Sequence, residues 1–585
     1  MRGRFAIGAG KYPGKAGRQA SRGTCSARLE RTIMPNRNRT ILVGLALIVA
    51  VCLAYCGVWR FEFVHYDDNS HVFANEHITG GLTPESVRWA FGQFNGAQWI
   101  PLTWISFMTD VSLFGLNPGA MHVENVALHA LNAVLLFLLL SRLTSRIWPA
   151  AAVAGIFALH PVNAESVAWI CERKNVLSTA FWLLSTLAYV AYAQSKRLAW
   201  LACSVVCLAL GLMVKAMLVT LPCTLLLLDA WPLGRHRAQS WLRLVGEKIP
   251  HFAIAITASV LQMKAAANDG LLWEGSEAPS FMYRAANAGA NIVHYLQMLL
   301  VPGEYAPMLP LPLSAPIALG IAGWALAASA IVAGWRLRTR APYLLFGTLW
   351  FLGVQVPVSG IVGAGDAVRC DRYLYVPQIG VIIAVVWGMS AMVRKMSREA
   401  VATGTGVVLL ALGVLTFQTA GHWRNTTTLA THSAAVSPNS IVAQKLSGWA
   451  MAREGRLPEA YQYYTTALSL GPSNIEARCA RAIVIARMGE NAEAIAEFRT
   501  ILAAEPGHAE ASLNLGSQLF AAGANAEARA ILEGMKQTAA THYWLARVAD
   551  ADGRREDGRR HYETALKLAT DEAWKEDAVA RLLLK

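Results

Sequence analysis

Between residues 41 and 420 the sequence is a succession of long apolar runs, and this pattern restricts the possible folds more than any other feature. A helix needs about 20 apolar residues to cross the hydrocarbon core of a bilayer, and many of the runs approach that length. Only 15% of the residues are charged, against about a quarter in soluble domains. The sequence therefore predicts an all-α protein, with a polytopic transmembrane helix bundle followed by a water-soluble helical domain after residue 440.

The run lengths predict about eleven membrane spans, with Ala285–Leu300 as an additional interfacial helix. The predicted spans are 41–59, 122–141, 148–164, 176–194, 198–214, 216–233, 250–266, 315–335, 343–361, 376–393 and 400–420. Lys and Arg favour cytoplasmic loops. They collect here before residue 40 and in alternate loops, at 141–146, 195–197, 235–248, 336–340 and 394–398.

This charge pattern predicts the orientation and the domain boundaries. Residues 1–39 are predicted to be a basic cytoplasmic tail and 40–420 the transmembrane domain. Residues 421–440 are then a linker on the other face, which is the periplasm if the membrane is a bacterial inner membrane. The net charge of +14 follows from membrane topology, so we predict no nucleic-acid partner.

A 34-residue period organises residues 441–585. Gly455, Gly489 and Gly523 lie 34 residues apart, and Gly448, Ala482 and Gly516 repeat at the same interval. This period and the small residues at fixed columns are typical of tetratricopeptide helical hairpins, which stack into an α-solenoid. Such a solenoid has a concave groove for a protein partner. A spacer or assembly platform without a specific ligand is the alternative.

Two adjacent carboxylates, Asp67 and Asp68, begin the first predicted outer loop, residues 60–120. Carboxylates at a membrane face are unfavourable unless they have a partner or a function. They are either solvated interface residues or a pair for chemistry at the membrane surface, acting as a base or as metal ligands.

Five cations lie on the same predicted face, against the positive-inside pattern. They are Arg173, Lys174, Lys215, Arg369 and Arg372. Each of them either neutralises an acid or helps to bind an anionic ligand, and phosphate fits such a set well. Because all five share the face of the acid pair, we favour an anion site.

The motifs that contain most of these residues resemble a known family. They are Phe63-Val64-His65-Tyr66-Asp67-Asp68, His160-Pro161-Val162-Asn163-Ala164-Glu165-Ser166, Arg173-Lys174-Asn175 and Asp371-Arg372-Tyr373-Leu374-Tyr375. This combination resembles the transmembrane-and-tetratricopeptide-repeat O-mannosyltransferases and their bacterial relatives, in the GT-C superfamily of membrane glycosyltransferases. The resemblance covers about residues 60–585 in the same domain order.

The resemblance implies transfer of a sugar from a polyprenyl-phosphate donor on the non-cytoplasmic face, with inversion at the anomeric carbon. Asp67 would take the proton of the acceptor hydroxyl, and Asp68 would support it or share a divalent metal ion with it. His65, His160 and Glu165 would support the site. The residues implied to hold the donor phosphate are Arg173, Lys174, Lys215, Arg369, Arg372 and Tyr373.

Cys171 and Cys370 lie in two outer loops that this arrangement brings to one site. The compartment permits disulfides, so a bridge between the two thiols is a further prediction.

Two other functions compete with the enzyme. One is a non-catalytic membrane scaffold whose repeats recruit envelope proteins, and the other is a transporter or ligase of lipid-linked glycans. A scaffold has no need of Asp67, and a transporter places ionisable residues at mid-membrane depth. We therefore predict a glycosyltransferase that acts on a protein hydroxyl or a cell-surface glycan, with the sugar and the acceptor unassigned.

Overall fold

The structure is a computed structural model that describes residues 37–585 except 271, 273–277, 304, 306–308, 311, 313, 362–368, 570–573 and 584–585. Most of the predicted basic tail, residues 1–36, lies outside the described residues. The described chain consists of helices joined by turns and loops, and no β-strand occurs in it. The predicted all-α class is therefore confirmed.

Seventeen helices precede residue 421 in the described chain. They are α1 Arg37–Ala54, α2 Glu76–Thr79, α3 Pro84–Gly92, α4 Pro101–Phe114, α5 Pro118–Thr144, α6 Ile147–Leu159, α7 Ala164–Ala168, α8 Arg173–Ser195, α9 Leu198–Leu212, α10 Leu221–Ala230, α11 Trp241–Gly246, α12 Ile249–Asn268, α13 Phe281–Leu300, α14 Ile317–Arg336, α15 Pro342–Gln355, α16 Gln378–Met392 and α17 Arg398–Ala420. Helices α1, α5, α6 and α8 pack together around buried Phe137, Phe157 and Trp182.

Six helical segments of the described chain are long and apolar enough to cross a membrane, in agreement with six of the predicted spans. They are Arg37–Arg60, Pro118–Thr144, Ile170–Ser195, Ile317–Arg336, Gln378–Lys395 and Arg398–Trp423. The predicted span 148–164 is a pair of helices with a 52° bend. Three further predicted spans correspond to the shorter apolar helices Leu198–Leu212, Ala216–Ala230 and Pro342–Val358. The predicted integral membrane protein is thus supported, whereas the count of eleven spans stays a prediction.

The predicted interfacial segment 285–300 is the C-terminal part of α13, which packs tightly against α14. A Cβ atom on Gly323 would lie 1.8 Å from the carbonyl oxygen of Gly289, so the two backbones touch where both helices have glycine. Close helix contact through small residues is typical of membrane proteins. It keeps α13 against the bundle as an amphipathic helix, with Asn287 and Asn291 on its buried side.

After residue 425, ten helices complete the described chain. They are α18 Thr426–Val436, α19 Ile441–Arg453, α20 Leu457–Leu470, α21 Ile475–Arg487, α22 Asn491–Ala504, α23 Ala509–Ala521, α24 Asn525–Glu533, α25 Ala539–Ala551, α26 Arg555–Leu568 and α27 Lys575–Leu583. Helices α19 to α26 form four antiparallel pairs. The glycines of the 34-residue period turn the chain inside the pairs, with φ of +78° at Gly455, +91° at Gly489 and +78° at Gly523. Glycine adopts this left-handed conformation without the steric penalty that a Cβ atom brings.

The first repeat is joined to the membrane part by one continuous apolar core. This core contains residues of the bundle, Trp423, Leu429 of α18, and Leu446 and Tyr464 of the first pair. The predicted linker 421–440 is therefore folded, since it contains α18 and packs on both sides. The later pairs have a separate core around Phe498 and Leu515.

Two of the cations in the predicted cytoplasmic loop 235–248 are buried in a charge-balanced network. The Asp229 carboxylate, which has no exposed surface, pairs with Arg235 at 3.1 Å and with the buried ammonium group of Lys248. Arg235 also pairs with Glu247 at 2.6 Å, and the Tyr189 hydroxyl donates to Asp229 at 2.7 Å. This network fastens the loop to the end of α10.

We expect Asp229→Ala to destabilise the protein by about 3–5 kcal/mol, because the buried Lys248 ammonium group loses its carboxylate partner. The melting temperature of the detergent-solubilised protein measures this effect. Arg237→Ala, in the same loop but exposed, is the matched control and should leave the melting temperature unchanged. Equal melting temperatures for both variants would contradict the importance of the network.

Candidate functional site

Three of the five predicted outer cations meet at one buried carboxylate. Glu172 ends a single helical turn, Ile170–Glu172, before α8. Its side chain is 1% exposed, and it lies 3.3 Å from the Lys174 ammonium group, 3.0 Å from that of Lys215 and 3.5 Å from Nε of Arg372. Segments that are distant in the chain therefore converge, as the sequence predicts, and we call Glu172, Lys174, Lys215 and Arg372 the cation cluster.

Glu165 supports the cluster through Arg372. Its carboxylate pairs with the Arg372 guanidinium group and accepts the Arg372 backbone N–H at 2.7 Å. The three cations and the two carboxylates leave a formal charge of +1. Burial lowers the pKa of Lys215 to about 8, against the opposing effect of Glu172. A buried site with excess positive charge favours an anionic ligand.

Aromatic rings surround this charge. The Arg372 guanidinium carbon lies 5.5 Å from the ring centre of Trp169 and 5.4 Å from that of Tyr373. Trp169 in turn stacks on Tyr66 at 5.2 Å and on Trp423 at 5.1 Å. Tyr373, predicted to contact the donor, is thus placed directly beside the cluster. The rings exclude water and hold the arginine plane by cation–π contact.

Asp67 is half-buried next to this cluster. It interacts electrostatically with Lys174 and with Tyr66. Its backbone carbonyl accepts the His71 N–H at 3.0 Å. Within the part of the chain that the structure describes, no donor or cation pairs directly with the Asp67 carboxylate. The Asp67 carboxylate is therefore close to the cationic side chains of the cluster and available to a ligand.

Asp68 has a different environment from its neighbour. It is fully buried, and its two oxygens accept the backbone N–H groups of Val64 at 3.0 Å and Cys171 at 3.1 Å. Burial raises the pKa of Asp68 to about 7, although both N–H groups favour the ionised form. Asp68 therefore joins the first outer loop to the segment before α8, and so positions Asp67.

The described surroundings of Asp67 and Asp68 supply few further ligands for the predicted metal ion. Both oxygens of Asp68 are occupied by N–H donors. Nowhere in the described ranges do three or more His, Cys, Asp or Glu side chains come together as possible metal ligands. A shared divalent ion remains a prediction, and no chemical step is derived through it.

Arg173 lies outside the cation cluster, which corrects its predicted place. Its buried guanidinium group pairs with Asp110 and lies 3.0 Å from Glu124, and it donates to Asn125 at 3.0 Å. Successive residues of a helix point about 100° apart. At the start of α8, Arg173 therefore faces α4 and α5, whereas Lys174 faces Glu172.

Among the described residues, Arg369 forms no ion pair with Glu172, whose cationic partners are Lys174, Lys215 and Arg372. It interacts electrostatically with Asp371 and with His294 and Tyr295 on α13, and its buried Nε atom has no hydrogen-bond partner among the described residues. Arg369 follows directly on residues 362–368, which lie outside the described chain. Its predicted contact with the donor phosphate stays a prediction.

The two histidines that were predicted to support the site have structural contacts. The ring of His160 accepts the Val162 N–H at 3.2 Å and lies 3.1 Å from the Leu299 carbonyl oxygen. His65 stacks on Trp449 of the first repeat, with ring centres 3.9 Å apart. His160 thus fixes the bend before α7, and His65 joins the first outer loop to the repeats.

The predicted bridge between Cys171 and Cys370 is absent from the structure, where both are buried free thiols. Both interact electrostatically with Glu172, so the two loops do converge. The convergence is provided by ion pairs and by Asn175, which donates to the Arg372 carbonyl oxygen at 3.0 Å.

Glu172 and Asn175 are the site residues that sequence reasoning left unassigned. The Asn175 side-chain oxygen accepts from Lys215 at 2.7 Å, so it and Glu172 hold the same lysine. The sequence pattern that could have identified them is the run Glu172-Arg173-Lys174-Asn175, in which an acid and an amide flank two cations.

The fold and the site together define an all-α membrane protein with a buried cation cluster and an appended tetratricopeptide solenoid. A family model described as a tetratricopeptide repeat matches residues 486–542, which confirms the predicted repeats. The match covers α22, α23 and α24 with parts of the helices on either side.

The protein is similar to curated protein O-mannosyl-transferases, which confirms the resemblance predicted from the motifs. TMTC1 of Mus musculus is 35% identical over 152 residues, which are 24% of this chain and 16% of the relative. Tmtc1 of Drosophila melanogaster is 30% identical over 156 residues, or 25% and 18% of the two chains. TMTC4 of Homo sapiens is 23% identical over 511 residues, or 74% and 67%. The match thus spans less than a fifth of the length of the first two relatives.

Solved structures give weaker likenesses. ArnT from Cupriavidus metallidurans, crystallised bound to undecaprenyl phosphate, aligns with 78% of this chain and 79% of its own, at 13% identity and a TM-score of 0.35. A thermophilic TPR protein of Thermus thermophilus aligns with 30% of this chain and 95% of its own, at 20% identity and a TM-score of 0.25. Scores this low carry no argument about the fold or the ligand.

Proposed function

We propose that this protein is a GT-C type membrane glycosyltransferase that moves a sugar from a polyprenyl-phosphate donor to a protein hydroxyl on the non-cytoplasmic face. The observation that carries the proposal is the half-buried carboxylate of Asp67 beside the cation cluster, which has no direct partner among the described residues. The names of the curated relatives, which are protein O-mannosyl-transferases, support a protein acceptor. A hydroxyl of a cell-surface glycan remains the alternative acceptor.

Asp67 acts as the general base in this proposal. It removes the proton from the acceptor hydroxyl while the acceptor oxygen forms a bond to the anomeric carbon. A positioned base of this kind contributes a rate factor of about 100 to 10,000. Attack opposite the leaving group inverts the anomeric centre.

The cation cluster stabilises the leaving group. As the anomeric carbon–oxygen bond breaks, the electron pair goes to the phosphate oxygen, and the polyprenyl phosphate leaves with additional negative charge. Lys174, Lys215 and Arg372 are fixed by Glu172 and Glu165 before the donor binds, so they need little rearrangement. Fixed cations in a site with little water stabilise developing charge most effectively.

The apolar spans anchor the protein in the same bilayer that holds the donor. A polyprenyl chain is retained by the bilayer, so only its phosphate and sugar need to reach the protein surface. The predicted orientation puts the cation cluster and the repeats on the non-cytoplasmic side, where a secreted acceptor would be found.

The function is tested by comparing the intact masses of envelope proteins from cells with and without this protein. We expect a set of proteins to lose mass in steps of one sugar when the gene is deleted, and to regain it when the gene is restored. The purified protein in detergent should transfer a labelled hexose from a polyprenyl-phosphate donor. Unchanged masses in the deletion strain, together with no transfer by the folded purified protein, would instead favour a scaffold.

A further inference from the structure

The loop that contains Asp67 is fastened to the repeat side of the molecule as well as to the bundle. The His65 N–H donates to the Thr426 side chain on α18 at 2.9 Å. The Glu62 N–H donates to the Arg424 carbonyl oxygen at 2.8 Å. Both hydrogen bonds join a predicted outer loop to residues that follow it by more than 350 positions in the chain.

A third contact joins two aromatic rings. The imidazole of His65 stacks on the indole of Trp449 in α19, with ring centres 3.9 Å apart and 13° between the planes. The guanidinium carbon of Arg453, one turn further along α19, lies 5.2 Å from the Trp449 ring centre. Burial, aided by Arg453, lowers the pKa of His65 and so favours the neutral imidazole, which packs on Trp449 as an aromatic ring.

Asp67 thus lies between two attachments only a few residues apart. On one side, His65 is held by Trp449 and Thr426, which belong to the repeat side. On the other side, Asp68 is held by the Cys171 N–H, which belongs to the bundle. We therefore expect a displacement of His65 to change the position of Asp67 relative to Lys174.

We propose that the first repeat is a working part of the catalytic unit, in which Trp449 is a positioning residue that acts on Asp67 through His65. The inference rests on the proposed function, because it assigns Trp449 a role in the same transfer reaction. The repeats are then more than a surface for recruiting partners, since their first helix sets the geometry of the base. A misplacement of about 1 Å in a catalytic group can lower a rate by about 100-fold.

The experiment compares Trp449→Ala, Trp449→Phe and Trp544→Ala in the full-length protein. Trp544 lies in α25 of the fourth pair, where it contacts Phe520 and Tyr543, so it controls for general damage to the solenoid. We expect Trp449→Ala to lower kcat by about 10- to 100-fold with little change in KM for the polyprenyl-phosphate sugar. Trp449→Phe, which keeps a ring for stacking, should recover most of kcat, and Trp544→Ala should retain it.

Hydrogen exchange of the backbone N–H groups of residues 62–68 gives a readout that does not depend on activity. Exchange should be faster in Trp449→Ala than in the wild type, and unchanged in Trp544→Ala. Wild-type kcat and exchange in Trp449→Ala would overturn the inference, as would equal losses in Trp449→Ala and Trp544→Ala. If the exchange difference is present but the wild type transfers no sugar, the proposed function alone is refuted.

Discussion

Replacing Asp67 by Asn should lower the rate of sugar transfer by about 100- to 10,000-fold and leave the melting temperature unchanged. The amide is nearly isosteric with the carboxylate, but it cannot accept the proton of the acceptor hydroxyl. The folded state should not depend on this group, since the Asp67 carboxylate has no direct partner among the described residues. The effect is measured with purified enzyme as the transfer of labelled sugar from a polyprenyl-phosphate donor to an acceptor protein.

Glu62→Gln is the matched control for this variant. Glu62 is an exposed carboxylate in the same loop, so removing its charge changes the local field but removes no base. We expect wild-type transfer by Glu62→Gln. If Asp67→Asn and the wild type transferred sugar at the same rate, the assignment of the base would be wrong, although the membrane fold and the cation cluster would be unaffected.

Replacing Arg173 by Ala should destabilise the protein by about 3–5 kcal/mol. The change leaves Asp110, which is 3% exposed, without its cation, and it also removes the hydrogen bonds to Asn125 and to the Met121 carbonyl oxygen. Glu124 is more exposed and adds little. The melting temperature in detergent and the yield of folded protein measure the loss.

Lys174→Ala, one residue further along α8, is the informative comparison. Glu172 keeps Lys215 and Arg372 as partners, so the loss of stability should be smaller than for Arg173→Ala. Transfer should fall by about 100-fold, as when one group that stabilises developing negative charge is removed. If Arg173→Ala were instead stable but bound the donor poorly, the prediction that Arg173 binds the donor phosphate would be supported.

Much of the fold could be predicted because its signals are local. The apolar runs reflect the bilayer, and the 34-residue spacing of Gly455, Gly489 and Gly523 reflects the turn that each of these glycines makes at positive φ. The shorter apolar helices and the bend after Leu159 were less predictable. A run of apolar residues shows where a helix is shielded from water, but it does not show whether the helix continues straight through the bilayer.

The site was predicted at the level of its loops and less well at the level of single side chains. Lys174, Lys215 and Arg372 do meet at Glu172, as expected if the chain returns to one face after each pair of predicted spans. Arg173 was assigned to the same place because adjacent residues look equivalent in a sequence, whereas on a helix they face different neighbours. The role of Asp68 depends on the backbone N–H groups that it accepts, and that of Glu172 on cations from distant segments. A local sequence pattern cannot predict such partners.

The apolar core shared by the bundle and the first helical pair limits which repeats can be gained or lost in related proteins. Stacked repeats interact mainly with their immediate neighbours, and the later pairs have a core of their own around Phe498 and Leu515. Pairs can therefore be gained or lost beyond α22 without uncovering apolar surface on the bundle. Helices α19 and α20 cannot be lost in this way, because they share the apolar core of the bundle. Any relative that retains the membrane part should therefore retain a first pair of matching shape, whatever the number of pairs that follow.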